Sequence, residues 1–209
     1  MLLFLGAFTV IAVTAAHFTG DQRIRRSLRK SAAKRIQELA DDELAKVVGR
    51  ARAVGELIDA PVTGRPCIAY AVNVVVHGHN TSRTFRDTGG APFMLEDDSG
   101  RALVDPTAAR ISLEGANRVH AGTLDAPTPS AVALLERHGQ RLGGFREVFY
   151  REAVIVDGDN LAVLGAGTRE PDPDAAPAES YRGDPKTRLR LTSSKKHPLV
   201  ISDDPSALK

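Results

Sequence analysis

The sequence predicts a mainly β protein with an N-terminal helix: a small antiparallel, barrel-like sheet plus one short helix. Three observations predict it. β-Branched residues concentrate in short runs bounded by turn residues, as in Cys67 to His77. Two of these runs are split by hairpin turns, Asp97-Asp98-Ser99-Gly100 and Asp157-Gly158-Asp159-Asn160, where glycine supplies a positive φ. Helix-forming patterns are confined to the first fifth of the chain and to a short stretch near residue 134.

The first element, residues 1–18, carries no charge before Asp21 and would reach about 27 Å as a helix, just enough to cross a bilayer. A cleaved signal would place its positive charge ahead of the apolar core. Here Arg23, Arg25, Arg26, Arg29, Lys30, Lys34 and Arg35 all follow it, so the sequence reads as an uncleaved single-pass anchor with the following domain on the cytoplasmic side. These seven residues are the expected membrane-surface contacts, setting topology and able to meet anionic headgroups. Residues 19–44 read as a basic juxtamembrane helix, with Ile24, Leu28, Ala32, Ile36, Leu39 and Leu44 recurring at near-helical spacing.

Gly49 and Gly55 end the helical pattern, and Lys46 to Val54 alternates weakly, as a short strand would. Residues 60–66 form a turn by composition and lead into the Cys67–His77 strand, with Ile68, Tyr70, Val72, Val74 and Val76 on one face. Gly78 to Pro92 is polar and reads as a hairpin loop. Phe93–Glu96 and Arg101–Asp105 flank the first hairpin turn. Pro129 to His138 has a short helical pattern, with Ser130 as expected N-cap and Gly139 beyond its end. Glu147–Val156 and Leu161–Gly167 flank the second turn, a Pro/Asp/Ala-rich loop covers Glu170–Glu179, and Thr187–Leu191 and Leu199–Ile201 are the last strands. The expected organisation is an anchor at 1–18, the juxtamembrane helix at 19–44, a β domain at 45–204 and a tail at 205–209.

Composition restricts the functions open to this domain. Residues 1–40 hold seven of the 28 basic and two of the 26 acidic residues, so the remainder has 21 basic against 24 acidic. A mildly acidic domain lacks the basic groove that phosphates require, so no nucleic-acid partner is expected even though Phe93, Phe149 and Tyr150 could stack on bases. One cysteine, Cys67, excludes an internal disulfide and a thiolate zinc site; it reads as a small core residue. His77 and His79 share one side of an extended strand but lack a third ligand, and read as loop histidines. Glu96, Asp97, Asp98, Asp157 and Asp159 are explained by their turns, and the Gly-rich stretch 139–144 does not join a strand to a helix as a phosphate cradle does. No catalytic residue, metal ligand or cofactor is expected.

Several of these segments together resemble the beside-a-membrane domain of the GIDE-type mitochondrial ubiquitin-ligase family and its bacterial relatives. The resemblance is carried by Val48-Gly49-Arg50-Ala51, by residues 60–70 (APVTGRPCIAY), by residues 93–106 (FMLEDDSGRALVDP), by residues 150–165 (YREAVIVDGDNLAVLG) and by Leu199-Val200-Ile201-Ser202. It implies a membrane-flanked β domain. Family members that ligate ubiquitin add a second membrane span and a RING, which needs eight Cys/His ligands; one Cys and six His cannot supply them. The expectation is therefore a membrane-anchored, non-enzymatic module that binds a protein or peptide at the membrane surface. The alternatives are the membrane component of a ubiquitin-ligase-like system whose catalytic module lies on another chain, and nucleic-acid binding by the barrel.

Overall fold

A computed structural model describes residues 26–78, 81–113, 119–140, 147–173 and 187–209. The fold is mainly β and contains a closed five-stranded barrel, as the sequence predicts. Strands β1 (Ala45–Ala53), β6 (Phe93–Asp97), β7 (Gly100–Val104), β12 (Thr187–Thr192) and β11 (Asn160–Pro171) follow one another around it, and a β1–β11 pairing closes the ring. β11 is long enough to serve three neighbours. Residues 160–165 pair with β1, 166–171 with β12, and 162–164 also with β13 (Val200–Ser202), which carries β8 (Arg110–Ser112) outward. Most pairings are antiparallel, but β12–β7 and β13–β8, which join strands far apart in the sequence, are parallel.

Side-chain alternation sorts the barrel wall into two faces. Ala45, Val47, Leu95, Ala102, Val104, Leu161, Val163, Leu189, Leu191 and Ile201 point inward, and Phe93 completes this core at 0% exposure. Gly49 is required where β1 leaves β11 for β6, since a Cβ there would lie 2.5 Å from the Glu96 carbonyl oxygen.

A second sheet stands on the barrel, in the order β5 (Ser82–Gly90), β4 (Ala69–His77), β10 (Glu147–Ile155), β9 (Val119–Thr123), antiparallel throughout. Ala69, Ala71, Ala153 and Ile155 at its base enter the barrel core. On one face Val72, Val74, Val76 and Val148 pack under helix α1 (Pro129–Arg137) through Leu134 and Leu135. A two-stranded ladder, β2 (Ile58–Asp59) with β3 (Pro66–Cys67), brackets the 60–65 turn.

Several expectations are corrected. The segment read as a loop, Gly78 to Pro92, contains the nine-residue strand β5, in register with the whole of β4. An edge strand exposed on one side has no need of an apolar run, so its composition resembles a loop. Of the helix expected over 19–44, the described part is helical only at 26–30 and as a 3-10 turn, η1, at Ile36–Glu38. Ser31 ends the first turn by donating its hydroxyl to the Ser27 carbonyl at 3.0 Å, and Ala33 then bridges to Lys46. Burial explains the break: Leu28 packs outside the barrel wall while Ile36 and Leu39 enter its core, and a straight helix cannot reach both. Thr128, not Ser130, caps α1, accepting from the Ala131 N–H at 3.2 Å with Pro129 in the first turn; Gly139 follows the helix at φ 68°. Ile68 does not share the Tyr70–Val76 face but turns into the barrel core.

Among the described residues no helix is long and apolar enough to cross a membrane, and the expected anchor at 1–18 lies outside them.

Candidate functional site

The outer face of the barrel wall is where the two ends of the described chain meet. Register places Lys46, Leu164, Val200 and Arg110 in one outward row, with Val48, Ala162, Ser202 and Ser112 in the next. Leu28 from the N-terminal turn and Ala207 from the tail are both 0% exposed and cover this face, joined by Leu208. Beneath them Lys46 is 1% exposed and donates Nζ to the Lys209 carbonyl oxygen at 2.8 Å.

The expected surface residues fall around this covered face. Arg23 and Arg25 lie outside the described residues, whereas Arg26, Arg29, Lys30, Lys34 and Arg35 are all exposed. Their backbone is tied down. Lys34 donates its N–H to the Lys46 carbonyl at 2.9 Å and pairs its ammonium with Glu43. η1 is held from both sides: Asp97 accepts from the Ile36 N–H at 2.8 Å, and Arg169 donates to the carbonyls of Ile36, Gln37 and Leu39 at 3.0–3.3 Å. Partial burial works against the charged form of Asp97. Hydrogen bonds from the Ser99 hydroxyl and from the N–H groups of Ile36, Ser99 and Gly100 outweigh it and hold the carboxyl below its usual range.

The residues weighed for chemistry fall into structural places. Cys67 is buried beside Ala60 and Val154, and burial, reinforced by the Glu152 charge, pushes its thiol up to about 12, so it is no nucleophile at neutral pH. His77 lies edge-on to Phe149 and shares a 2.8 Å hydrogen bond with Ser82; His79 lies outside the described residues. Among the described residues no three His, Cys, Asp or Glu converge as metal ligands. Glu96 pairs with Arg52. Asp157 accepts from the Ala53 N–H at 2.9 Å, and Asp159 from the Val156 N–H at 2.8 Å. Phe93 is core, while Phe149 and Tyr150 are half-buried on opposite faces of β10. Of the Gly-rich stretch only Gly139 and Gln140 are described.

Two polar clusters escape sequence reasoning. Glu152 is 0% exposed and accepts from the Val62 N–H at 2.8 Å, the Thr63 N–H at 3.1 Å and the Thr63 hydroxyl, fixing the 60–65 turn to β10. Asp87 gathers the Tyr70 hydroxyl at 3.0 Å, Arg137 at 3.1 Å and His138 at 3.2 Å, with Phe85 stacked on the His138 ring. Burial and then the Asp87 charge push the Tyr70 phenol up to about 12. Asp87 fastens the end of α1 to the sheet, and among the described residues the His138 ring has no other hydrogen-bond partner. The signal for Glu152 was present: it is the one carboxylate in the alternating apolar set Val148, Tyr150, Val154.

The four-stranded sheet offers the most open backbone. Among the described residues no further strand pairs with β5 or with β9. β5 keeps nine consecutive register pairs with β4, without a bulge or a proline, and Arg83 stands exposed on it.

No family model, curated protein or solved structure matches the chain.

Proposed function

We propose that this chain is a membrane-anchored, non-enzymatic interaction module that takes an extended protein segment as an added strand on the edge of β5. The single observation that carries this reading is the open nine-residue edge, about 30 Å long at the rise of an antiparallel strand. Unpaired edges are hazards that folded domains blunt with prolines, bulges or charges; among the described residues this one has no proline, bulge or added strand, and its charges are Arg83, Arg86 and Asp87. Strand addition draws affinity from main-chain hydrogen bonds and specificity from alternate side chains. Arg83, exposed on β5, favours an acidic residue in the added segment. The membrane tether is residues 1–18, and the basic flank places the domain on the cytoplasmic side by the positive-inside rule. Resemblance to the beside-a-membrane domain agrees with a module working at a lipid surface, and ligase activity is not part of the proposal.

The test is a peptide-display selection on the full chain in detergent micelles, repeated with Thr84→Pro and Phe85→Pro. Adjacent strand residues point their N–H groups in opposite directions, so one of these prolines blocks the outer edge while the β4 ladder stays intact. The expected result is enrichment of extended acidic peptides whose binding is lost in the variant that keeps the native circular dichroism spectrum. Enriched peptides that bind both proline variants normally, or no enrichment at all, would refute the edge as the site. Protease accessibility on intact cells and on inverted vesicles tests the side separately, with cleavage expected in inverted vesicles alone.

A further inference from the structure

The covered outer face leaves one cavity open beside it. Roughly 350 Å³ in volume, it is lined by Lys34, Arg35 and Glu38, by Asp97 and Asp98 of the β6–β7 hairpin, and by Val48 of β1. It is a cleft open to solvent, roomy enough for a small charged group and lined mostly by charged side chains.

A tally of the charges decides what could enter. The Lys34 ammonium is already paired with Glu43. Asp97 keeps its negative charge, but its oxygens already accept from the N–H groups of Ile36, Ser99 and Gly100 and from the Ser99 hydroxyl. Three further charged groups keep open hydrogen-bonding capacity. Among the described residues the Arg35 guanidinium meets no carboxylate, Asp98 has no polar partner, and Glu38 accepts only the long Arg35 N–H contact at 3.5 Å. A simple anion drawn to Arg35 meets the carboxylates of Glu38, Asp97 and Asp98, and a simple cation drawn to those carboxylates meets the guanidinium. A ligand carrying both charges satisfies the whole set, and a guanidinium matches a phosphate in fork geometry.

We propose that this cavity binds a headgroup of the phosphoethanolamine class, its phosphate on Arg35 and its ammonium between Glu38 and Asp98. Lipid as the source rests on the reading that the chain is held at a bilayer; the free headgroup offers the same chemistry.

The experiment titrates O-phosphoethanolamine, with inorganic phosphate as comparison, into the full chain in maltoside micelles by calorimetry. The same preparation is reconstituted into vesicles containing a photoreactive phosphatidylethanolamine. Saturable binding is expected, with inorganic phosphate and the variants Arg35→Gln and Asp98→Asn each about tenfold weaker, the loss of one charge-assisted contact. Labelling of the Ala33–Glu38 segment, competed by free phosphoethanolamine, would assign the site to lipid. Soluble binding without labelling would overturn the lipid source. Absence of saturable binding, or affinity unchanged in both variants, would overturn the site itself. Flotation of the same vesicles reads the anchor independently: a chain that floats but does not bind the headgroup loses the cavity proposal alone, and one that binds without floating loses the tether.

Discussion

Replacing Glu152 by glutamine tests the most deeply buried carboxylate among the described residues. The carboxylate is fully buried and serves three donors, the N–H groups of Val62 and Thr63 and the Thr63 hydroxyl. Glutamine has the same shape but one acceptor oxygen, so its amide nitrogen is driven against a donor. Hydrogen bonds to a charged acceptor contribute about 1.5–3 kcal/mol each, against about 1 kcal/mol for neutral pairs. Losing the charged character of this set, partly offset by relief of carboxylate desolvation, gives an expected loss of about 3 kcal/mol. That is a large share of the stability of a domain this size, about 5–15 kcal/mol. Thr63→Val removes only the hydroxyl and should cost about 1 kcal/mol, and the double variant should cost less than the sum because both act on one network. Urea unfolding followed by circular dichroism, with the m-value unchanged, measures all three. A loss below about 1 kcal/mol for Glu152→Gln would mean that the turn is not held by this carboxylate, and the account of the 60–65 turn would fall.

Four other outcomes follow from the same structure. Because the Asp97 carboxyl is held below its usual range, its contribution is present above about pH 4, the unfolded value, and is lost as pH falls through its folded pKa; Asp97→Asn should flatten that part of the acid unfolding profile. Cys67, with its thiol pushed up to about 12, should react with iodoacetamide at pH 8 far more slowly in the folded chain than in urea, and equal rates would refute its burial. Gly49→Ala forces a Cβ against the Glu96 carbonyl and should destabilise by about 2 kcal/mol in the same urea assay, an overpacking cost. Deleting residues 207–209 uncovers Leu28 and removes the Lys46 acceptor, so hydrogen exchange should rise across 26–30 and along β1 before it rises in the four-stranded sheet.

Strands whose alternation is driven by burial were legible in the sequence, and those shaped by position were not. β1, β4, β6, β7, β10 and β11 carry apolar side chains at period two or in β-branched runs, and two hairpin turns announce themselves by Asp and Gly. β5 is written in Ser, Thr, Arg and Gly because one edge and much of one face meet solvent, so its composition matches a loop. Closure through β1 and β11 joins residues more than 100 positions apart, and no local pattern encodes that register. The juxtamembrane helix was over-read because Leu28, Ile36 and Leu39 suit one helical stripe, whereas they are buried in two different clusters. At the candidate site, the basic residues were found as a run. The acids that complete the cavity, Asp97 and Asp98, come from a hairpin more than 60 residues away and were read only as turn chemistry. Lys46 and Glu152 left a fainter trace, a single charge inside an otherwise apolar strand.

The burial of Leu28 limits how far the domain could stand from a bilayer. If residues 1–18 cross the membrane, as proposed, Leu28 lies ten residue steps beyond Phe18, which even fully extended reach only about 35 Å. Leu28 is not a free point on a tether, because it packs against Ala162, Leu164 and Val200 and shares its cover with the tail. The barrel wall that carries Lys46 and Val48 would therefore be the side held nearest the membrane, and the cavity that Val48 helps to line would lie within reach of headgroups. β5 belongs to the other sheet, so lipid contact and strand addition would use separate surfaces. A partner segment could then be captured while the basic flank stays on the membrane.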